Sequence, residues 1–216
     1  MLRAWHRKLE LMRWATEYAD LPDARVPDDW PTTAGISANG LRPLQHGQHA
    51  PGHSAVYAAV NAIRLATAVR HGWTKRGEQE LLEIAWAWRE LHGQGSSRRG
   101  MRRGDFVRMV EALSFASARL HDQFITTRRP WVSFPPSQLD FFAVIERSIV
   151  AQDVVLILFA GAHYSVVRGF TPTSLLLFDS SGRHWLKRTS ITLTDNHRSA
   201  RYALAITATL ILRRGC

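Results

Sequence analysis

The sequence predicts an α+β fold in which a helical N-terminal half precedes a C-terminal antiparallel sheet. Apolar residues recur at helical spacing in most of the chain before residue 151. After residue 153, short runs rich in β-branched residues alternate with turn residues. Helices followed by strands in this order are typical of α+β domains.

The helices are predicted from the positions of their apolar residues, and one of them differs from the rest. Residues 54–70 are apolar on nearly every side, with Asn61, Arg64 and Thr67 as a thin polar stripe. A helix of this kind is a buried one, so we expect it at the centre of the helical half. The predicted helices cover residues 2–18, 54–70, 78–92, 105–121 and 137–151.

The strands follow from β-branched runs between turns. The predicted strands are Val154–Phe159, His163–Phe170, Ser174–Asp179, Arg183–Arg188 and Tyr202–Leu212. The second and third form a hairpin around Thr171-Pro172-Thr173. A turn centred on Thr171 places His163 directly opposite Asp179, and directly opposed residues share a face with Cβ atoms about 5 Å apart.

Composition limits the class of protein. The chain has 216 residues, 45% of them hydrophobic, which suits one domain with a hydrophobic core. Its single cysteine, Cys216, excludes a disulfide framework and a thiolate-rich metal site. Apolar runs fall short of the ~18 residues of a membrane-spanning helix, and the charged N-terminal segment lacks a signal-peptide core. We therefore expect a cytoplasmic protein, whose net charge of +10 permits acidic partners.

Four residues form a candidate catalytic group. A carboxylate behind a histidine fixes its tautomer and stabilises the imidazolium, as Asp179 would do for His163. Ser54 lies at the N-terminus of the buried helix, where backbone N–H groups favour a developing negative charge. Gln48, six residues earlier, could supply a second donor to an oxyanion.

Together these segments resemble the papain-like cysteine peptidases, and within them the C39-like branch related to the leader-cleaving domains of bacteriocin exporters. Gln48, Ser54 and the run Tyr57–Arg64 resemble the active-site helix of that family. Gly161–Phe170 and Phe178–Gly182 are similar to its histidine strand and its Asp-x-x-Gly turn. The resemblance covers residues 41–70 and 153–188 and leaves residues 1–40 outside the expected domain, 41–216.

The resemblance implies a papain-like fold and hydrolysis of a peptide or other amide bond without a cofactor. The roles would be nucleophile for Ser54, base and later acid for His163, orientation for Asp179 and oxyanion donor for Gln48. The family's nucleophile is a cysteine, however, and a serine hydroxyl cannot form a resting thiolate–imidazolium pair. We favour a disabled peptidase whose cleft binds a peptide or protein segment. The alternatives are a working serine variant and an engineered replacement of cysteine by serine.

Other patterns carry weaker functional hypotheses. Gly52–Val56 fails the nucleophile-elbow pattern at its last position, and the order of serine, histidine and aspartate is not that of α/β-hydrolases. The histidines at 46, 49 and 53 lie in a Gly/Pro loop, so we favour solvated loop residues over a metal site. The basic loop Arg98–Arg103 lacks interleaved aromatics, so nucleic-acid binding is not favoured. We expect Trp185 in the core and Asn61 as a structural amide.

Overall fold

The structure is a computed structural model, and it describes nine parts of the chain. These are residues 34–37, 41–45, 53–67, 74–92, 101–121, 125–131, 137–159, 163–193 and 203–214. All of them lie within one compact unit, Pro31–Cys216. The predicted helix over residues 2–18 and the candidate oxyanion donor Gln48 lie outside the described residues, so both stay predictions.

Four helices occupy the first part of the described chain, as predicted. Their limits are α1 His53–Thr67, α2 Lys75–His92, α3 Arg103–His121 and α4 Gln138–Val150. The start of α4 is fixed by a capping box, because Ser137 Oγ accepts from Asp140 N and the Asp140 carboxylate accepts from Ser137 N. These four helices confirm the helical part of the mixed α+β class.

The strands of the described ranges form one nine-stranded sheet. Its main path runs β2-β9-β3-β4-β5-β6, with β1 beside β4 and with β8 joining β3 to β7. Every pairing is antiparallel except the short contact between β7 and β8. The strands are β1 Ala34–Gly35, β2 Ile125–Arg128, β3 Val154–Phe159, β4 His163–Phe170, β5 Ser174–Leu177, β6 Trp185–Lys187, β7 Thr192–Leu193, β8 Ala203–Leu204 and β9 Leu210–Arg214.

The prediction of one long strand over Tyr202–Leu212 was wrong. Leu204 pairs with Phe159 and Leu210 pairs with Leu156, so five residues lie between these two pairs on the β8–β9 segment and only two on β3. The three extra residues form a 3₁₀ turn, Ile206–Ala208, between β8 and β9. A continuous run of β-branched and apolar residues does not reveal such an interruption.

The core lies between the helices and the sheet, and α1 is at its centre. Thirteen of the fifteen residues of α1 are buried, which confirms the prediction of a buried central helix. It packs against β3, β4 and β9, while α2 and α3 cover it and α4 packs against β1, β3 and β4. Because α1 is enclosed on nearly every side, its first residues are held rigidly relative to the sheet.

Candidate functional site

The β4–β5 hairpin carries the two residues of the predicted acid–base pair, but its register differs from the prediction. Phe170 pairs with Leu175 and Gly169 with Leu176, whereas Val167 pairs with Leu177. Arg168 is the extra residue of a β-bulge between them. His163 and Asp179 therefore do not oppose each other directly, and the predicted register was wrong.

The bulge nevertheless brings the pair together. If the register next to the turn continued, Asp179 would lie opposite Val166 and on the other face from His163. One extra residue changes that parity, so Asp179 comes opposite Ser165 and shares a face with His163. Residues in diagonal positions on one face remain within reach of a long side chain.

His163 and Asp179 form a direct hydrogen bond. His163 Nε2 lies 2.8 Å from Asp179 Oδ2, and the carboxylate is completely buried while a quarter of the histidine side chain is exposed. A carboxylate accepts, so this bond places the proton on Nε2 and leaves Nδ1 as the basic nitrogen. The imidazole thus has the tautomer that a base directed away from the carboxylate requires.

The turn after β5 holds the carboxylate in place. Asp179 Oδ1 accepts a hydrogen bond of 2.7 Å from the backbone N of Ser181 and another from the Ser181 hydroxyl. Gly182 follows with φ of +81°, a conformation that favours glycine, and its N–H lies 3.4 Å from the carbonyl oxygen of Asp179. Ser181 was not singled out from the sequence, although an Asp-Ser-Ser-Gly run is a recognisable Asx-turn pattern.

The surroundings of Asp179 stabilise its ionised form. Burial alone would raise the pKa of this carboxyl group, but the hydrogen bond and charge of His163 lower it. The hydrogen bonds from Ser181 lower it further, and the net pKa lies well below the ordinary value. Asp179 therefore stays charged across the physiological range and can stabilise an imidazolium.

Ser54 lies where the sequence predicted it, in the first turn of α1, and it is 7% exposed. The backbone N–H groups of this turn and the helix dipole favour negative charge at that end. The structure thus brings together two members of the predicted group and places the third at a helix N-terminus.

The chain that leads to Gln48 is fixed to α1, although Gln48 itself is outside the described residues. Asn61 Oδ1 accepts from the backbone N of Leu44 at 2.8 Å, and Asn61 Nδ2 donates to the carbonyl of Leu44 at 3.1 Å. Arg64 donates to the carbonyl of Arg42 and forms an ion pair with Glu78. The prediction that Asn61 is a structural amide is confirmed.

Aromatic and basic side chains extend the site along the sheet. The ring of Phe159 stacks at 5.9 Å from that of His163, and the guanidinium of Arg183 lies 5.7 Å from the Phe159 centroid. Trp185 is 54% exposed, so its predicted place in the core was wrong. It lies on a short strand at the margin of the sheet, where only alternate residues can face inwards.

The described residues give little support to a histidine metal site or to nucleic-acid binding by the basic loop. His53 packs edge-to-face on Trp86 at 4.7 Å, while His46 and His49 lie outside the described part of the chain. The ranges that the structure describes contain no cluster of three or more metal-ligating side chains. Of the basic loop Arg98–Arg103, only its last three residues are described.

No helix within the described ranges is long and apolar enough to cross a membrane. Comparisons of this chain with protein-family models, with curated proteins and with solved structures found no match.

Proposed function

We propose that this chain is a papain-like protein of the C39-like cysteine peptidase type in which serine replaces the nucleophilic cysteine. In this proposal it is a disabled peptidase whose cleft, between the start of α1 and the start of β4, binds a peptide or protein segment. The hydrogen bond between His163 and the buried Asp179 carries the proposal. A buried carboxylate behind a partly exposed histidine is the arrangement that a catalytic base requires.

The serine at position 54 favours binding over turnover. A cysteine beside a histidine is drawn to a low pKa and attacks as a thiolate, whereas a serine hydroxyl stays neutral until a base removes its proton. Replacement of the cysteine by this weaker nucleophile therefore favours a protein that holds a peptide without cleaving it.

The decisive experiment restores the family's nucleophile. Ser54→Cys is treated with an iodoacetamide probe near neutral pH, beside Ser54→Cys/His163→Ala as the matched control. We expect fast labelling that depends on His163, because the imidazole would hold the thiol as a thiolate. Labelling as slow as that of an ordinary exposed thiol, with and without His163, would rule out a peptidase-type site.

A working serine variant is the second candidate, and the charged Asp179 behind His163 favours it. The unchanged protein is treated with a fluorophosphonate probe, which phosphonylates a serine oxygen and releases fluoride when a base activates that serine. Labelling at Ser54 that disappears in His163→Ala would support a functional serine hydrolase. An unlabelled Ser54, combined with fast labelling of Ser54→Cys, would support the disabled peptidase.

A further inference from the structure

A surface pocket of about 530 Å³ is lined by residues that follow the Asp179 turn in the sequence. The described part of its lining comes from a single stretch of chain, including Arg183, His184, Trp185 and Lys187. None of these described lining residues is acidic, and Trp185 and Lys187 both point outwards from β6. Lys187 Nζ lies 5.9 Å from the centroid of the Trp185 ring, so positive charge and an aromatic surface stand side by side.

Beside this pocket, some backbone N–H and C=O groups of β6 point away from the neighbouring strand β5. Within the described sheet β6 is the last strand of the main path, with β5 as its neighbour on one side. Leu177 N donates to His184 O, and Arg188 N donates to Thr173 O. The pairs Leu176–Trp185 and Ser174–Lys187 are therefore non-hydrogen-bonded pairs of the antiparallel ladder. The N–H and C=O groups of Trp185 and Lys187 consequently point away from β5.

We propose that β6 is a docking strand on which an extended, acidic peptide segment of a partner protein adds as a further strand. The outward N–H and C=O of Trp185 and the outward N–H of Lys187 would supply main-chain hydrogen bonds, as in other cases of strand addition. The C=O of Lys187 caps the 3₁₀ turn Arg188–Ser190 instead. Arg183 and Lys187 would attract acidic side chains, and the exposed Trp185 ring would cover alternate apolar ones. This inference deepens the proposed function, since it names the chemistry and the position of the peptide.

Two side-chain contacts connect the β6 edge of the sheet to the candidate site. Arg183 lies over Phe159, and Phe159 stacks against His163, so the basic pocket begins one ring away from the histidine. A peptide strand on β6 would run beside the turn that holds Asp179. Acidic charge selects the peptide over a second copy of this chain, because two edges that each carry Arg183 and Lys187 repel one another in a protein of net charge +10.

Lys187 provides a sharp test of the backbone contact. Its φ is −65°, the value that proline requires, and its N–H points away from β5. Lys187→Pro therefore removes an outward donor without removing a β5–β6 hydrogen bond. Lys187→Ala is the matched control, because it removes the same side chain and keeps the N–H. Arg76→Ala removes one positive charge from an 89% exposed residue on α2.

The measurement is fluorescence anisotropy of a fluorescein-labelled decapeptide of alternating glutamate and threonine. We expect salt-sensitive binding that Arg76→Ala leaves unchanged and Lys187→Ala weakens about three-fold. We expect Lys187→Pro to bind about ten-fold more weakly than Lys187→Ala, because the donor is lost. Hydrogen exchange should slow at Trp185 and Lys187 when the peptide is bound.

Four results would overturn the inference. These are equal affinity of Lys187→Pro and Lys187→Ala, equal binding of a lysine–threonine decapeptide, preferential binding of a single-stranded decanucleotide, and a dimer that blocks the peptide. Labelling of Ser54→Cys separates this inference from the proposed function. Histidine-dependent labelling without peptide binding to β6 would reject the docking strand alone.

Discussion

The buried carboxylate of Asp179 gives a single residue a measurable effect on stability. Its pKa is lower in the folded protein than in the unfolded chain, so folding favours its ionised form. This contribution is fully present above the ordinary carboxyl pKa of about 4 and is lost as the pH falls below that value. We expect the free energy of unfolding to decrease on acidification, and to decrease less in Asp179→Asn.

Urea denaturation at pH 7, 5, 4 and 3 measures this difference. Other paired carboxylates add to the slope of both proteins, so the relevant quantity is the difference between the two curves. We expect the difference in the free energy of unfolding between the unchanged protein and Asp179→Asn to become smaller toward pH 3. A difference that stays constant from pH 7 to pH 3 would mean that His163 and the turn do not stabilise the ionised carboxylate.

Asn61 is a second residue whose role can be tested alone. Its amide makes both hydrogen bonds to Leu44 and accepts a further one from Arg64 at 3.1 Å, and it is completely buried. Asn61→Ala would leave these groups without their partner, so we expect a loss of about 2–3 kcal/mol in the free energy of unfolding. Chemical denaturation gives the value, and a change below 0.5 kcal/mol would contradict the role in anchoring.

Among the elements, the bulge in β4 has the greatest consequence for the site. Gly169 lies beside β1, and an added Cβ would stand 2.8 Å from the carbonyl oxygen of Ala34 and 3.1 Å from the Cα of Gly35. These are backbone atoms that cannot rotate away. We therefore expect Gly169→Ala to displace β1 and to lower the free energy of unfolding by about 1–3 kcal/mol.

Gly104 supplies the matched control for this prediction. It lies in the first turn of α3, and an added Cβ there meets nothing within 4 Å. Gly104→Ala should raise the free energy of unfolding by about 0.4–1 kcal/mol, because alanine restricts the unfolded chain and suits a helix. In thermal or urea denaturation, we expect the two substitutions to change the free energy of unfolding in opposite directions. Equal effects would show that close approach of β1 does not constrain β4.

The elements also show what the sequence can predict. Periodicity located all four described helices, and β-branched runs located β3 and β4, because each signal repeats over six residues or more. The sequence predicted the contact between His163 and Asp179, but from a hairpin register that the structure does not have. The bulge lies beside the contact between Gly169 and β1, which joins distant parts of the chain and leaves no local pattern. Two-residue strands such as β1 escape prediction for the same reason.

In the molecule as a whole, Arg188 connects a helix to two parts of the sheet. Its guanidinium pairs with the buried Glu146 of α4, donates to the carbonyl of Thr171 at 2.6 Å and lies 5.1 Å from the Phe142 ring. It immediately follows β6, so one side chain connects α4, the β4–β5 turn and the edge of the sheet. Removal of one partner from a buried ion pair leaves an uncompensated charge.

This arrangement predicts a large difference between buried and exposed ion pairs. Glu146→Ala should lower the free energy of unfolding by about 3–5 kcal/mol, since the Arg188 charge would lose its buried partner. Glu80→Ala removes an exposed pair with Arg76 within α2 and should change it by about 0.5 kcal/mol or less. Urea denaturation of both variants measures the contrast. A Glu146 variant as stable as the Glu80 variant would mean that the sheet edge and the docking strand are held in place by packing alone.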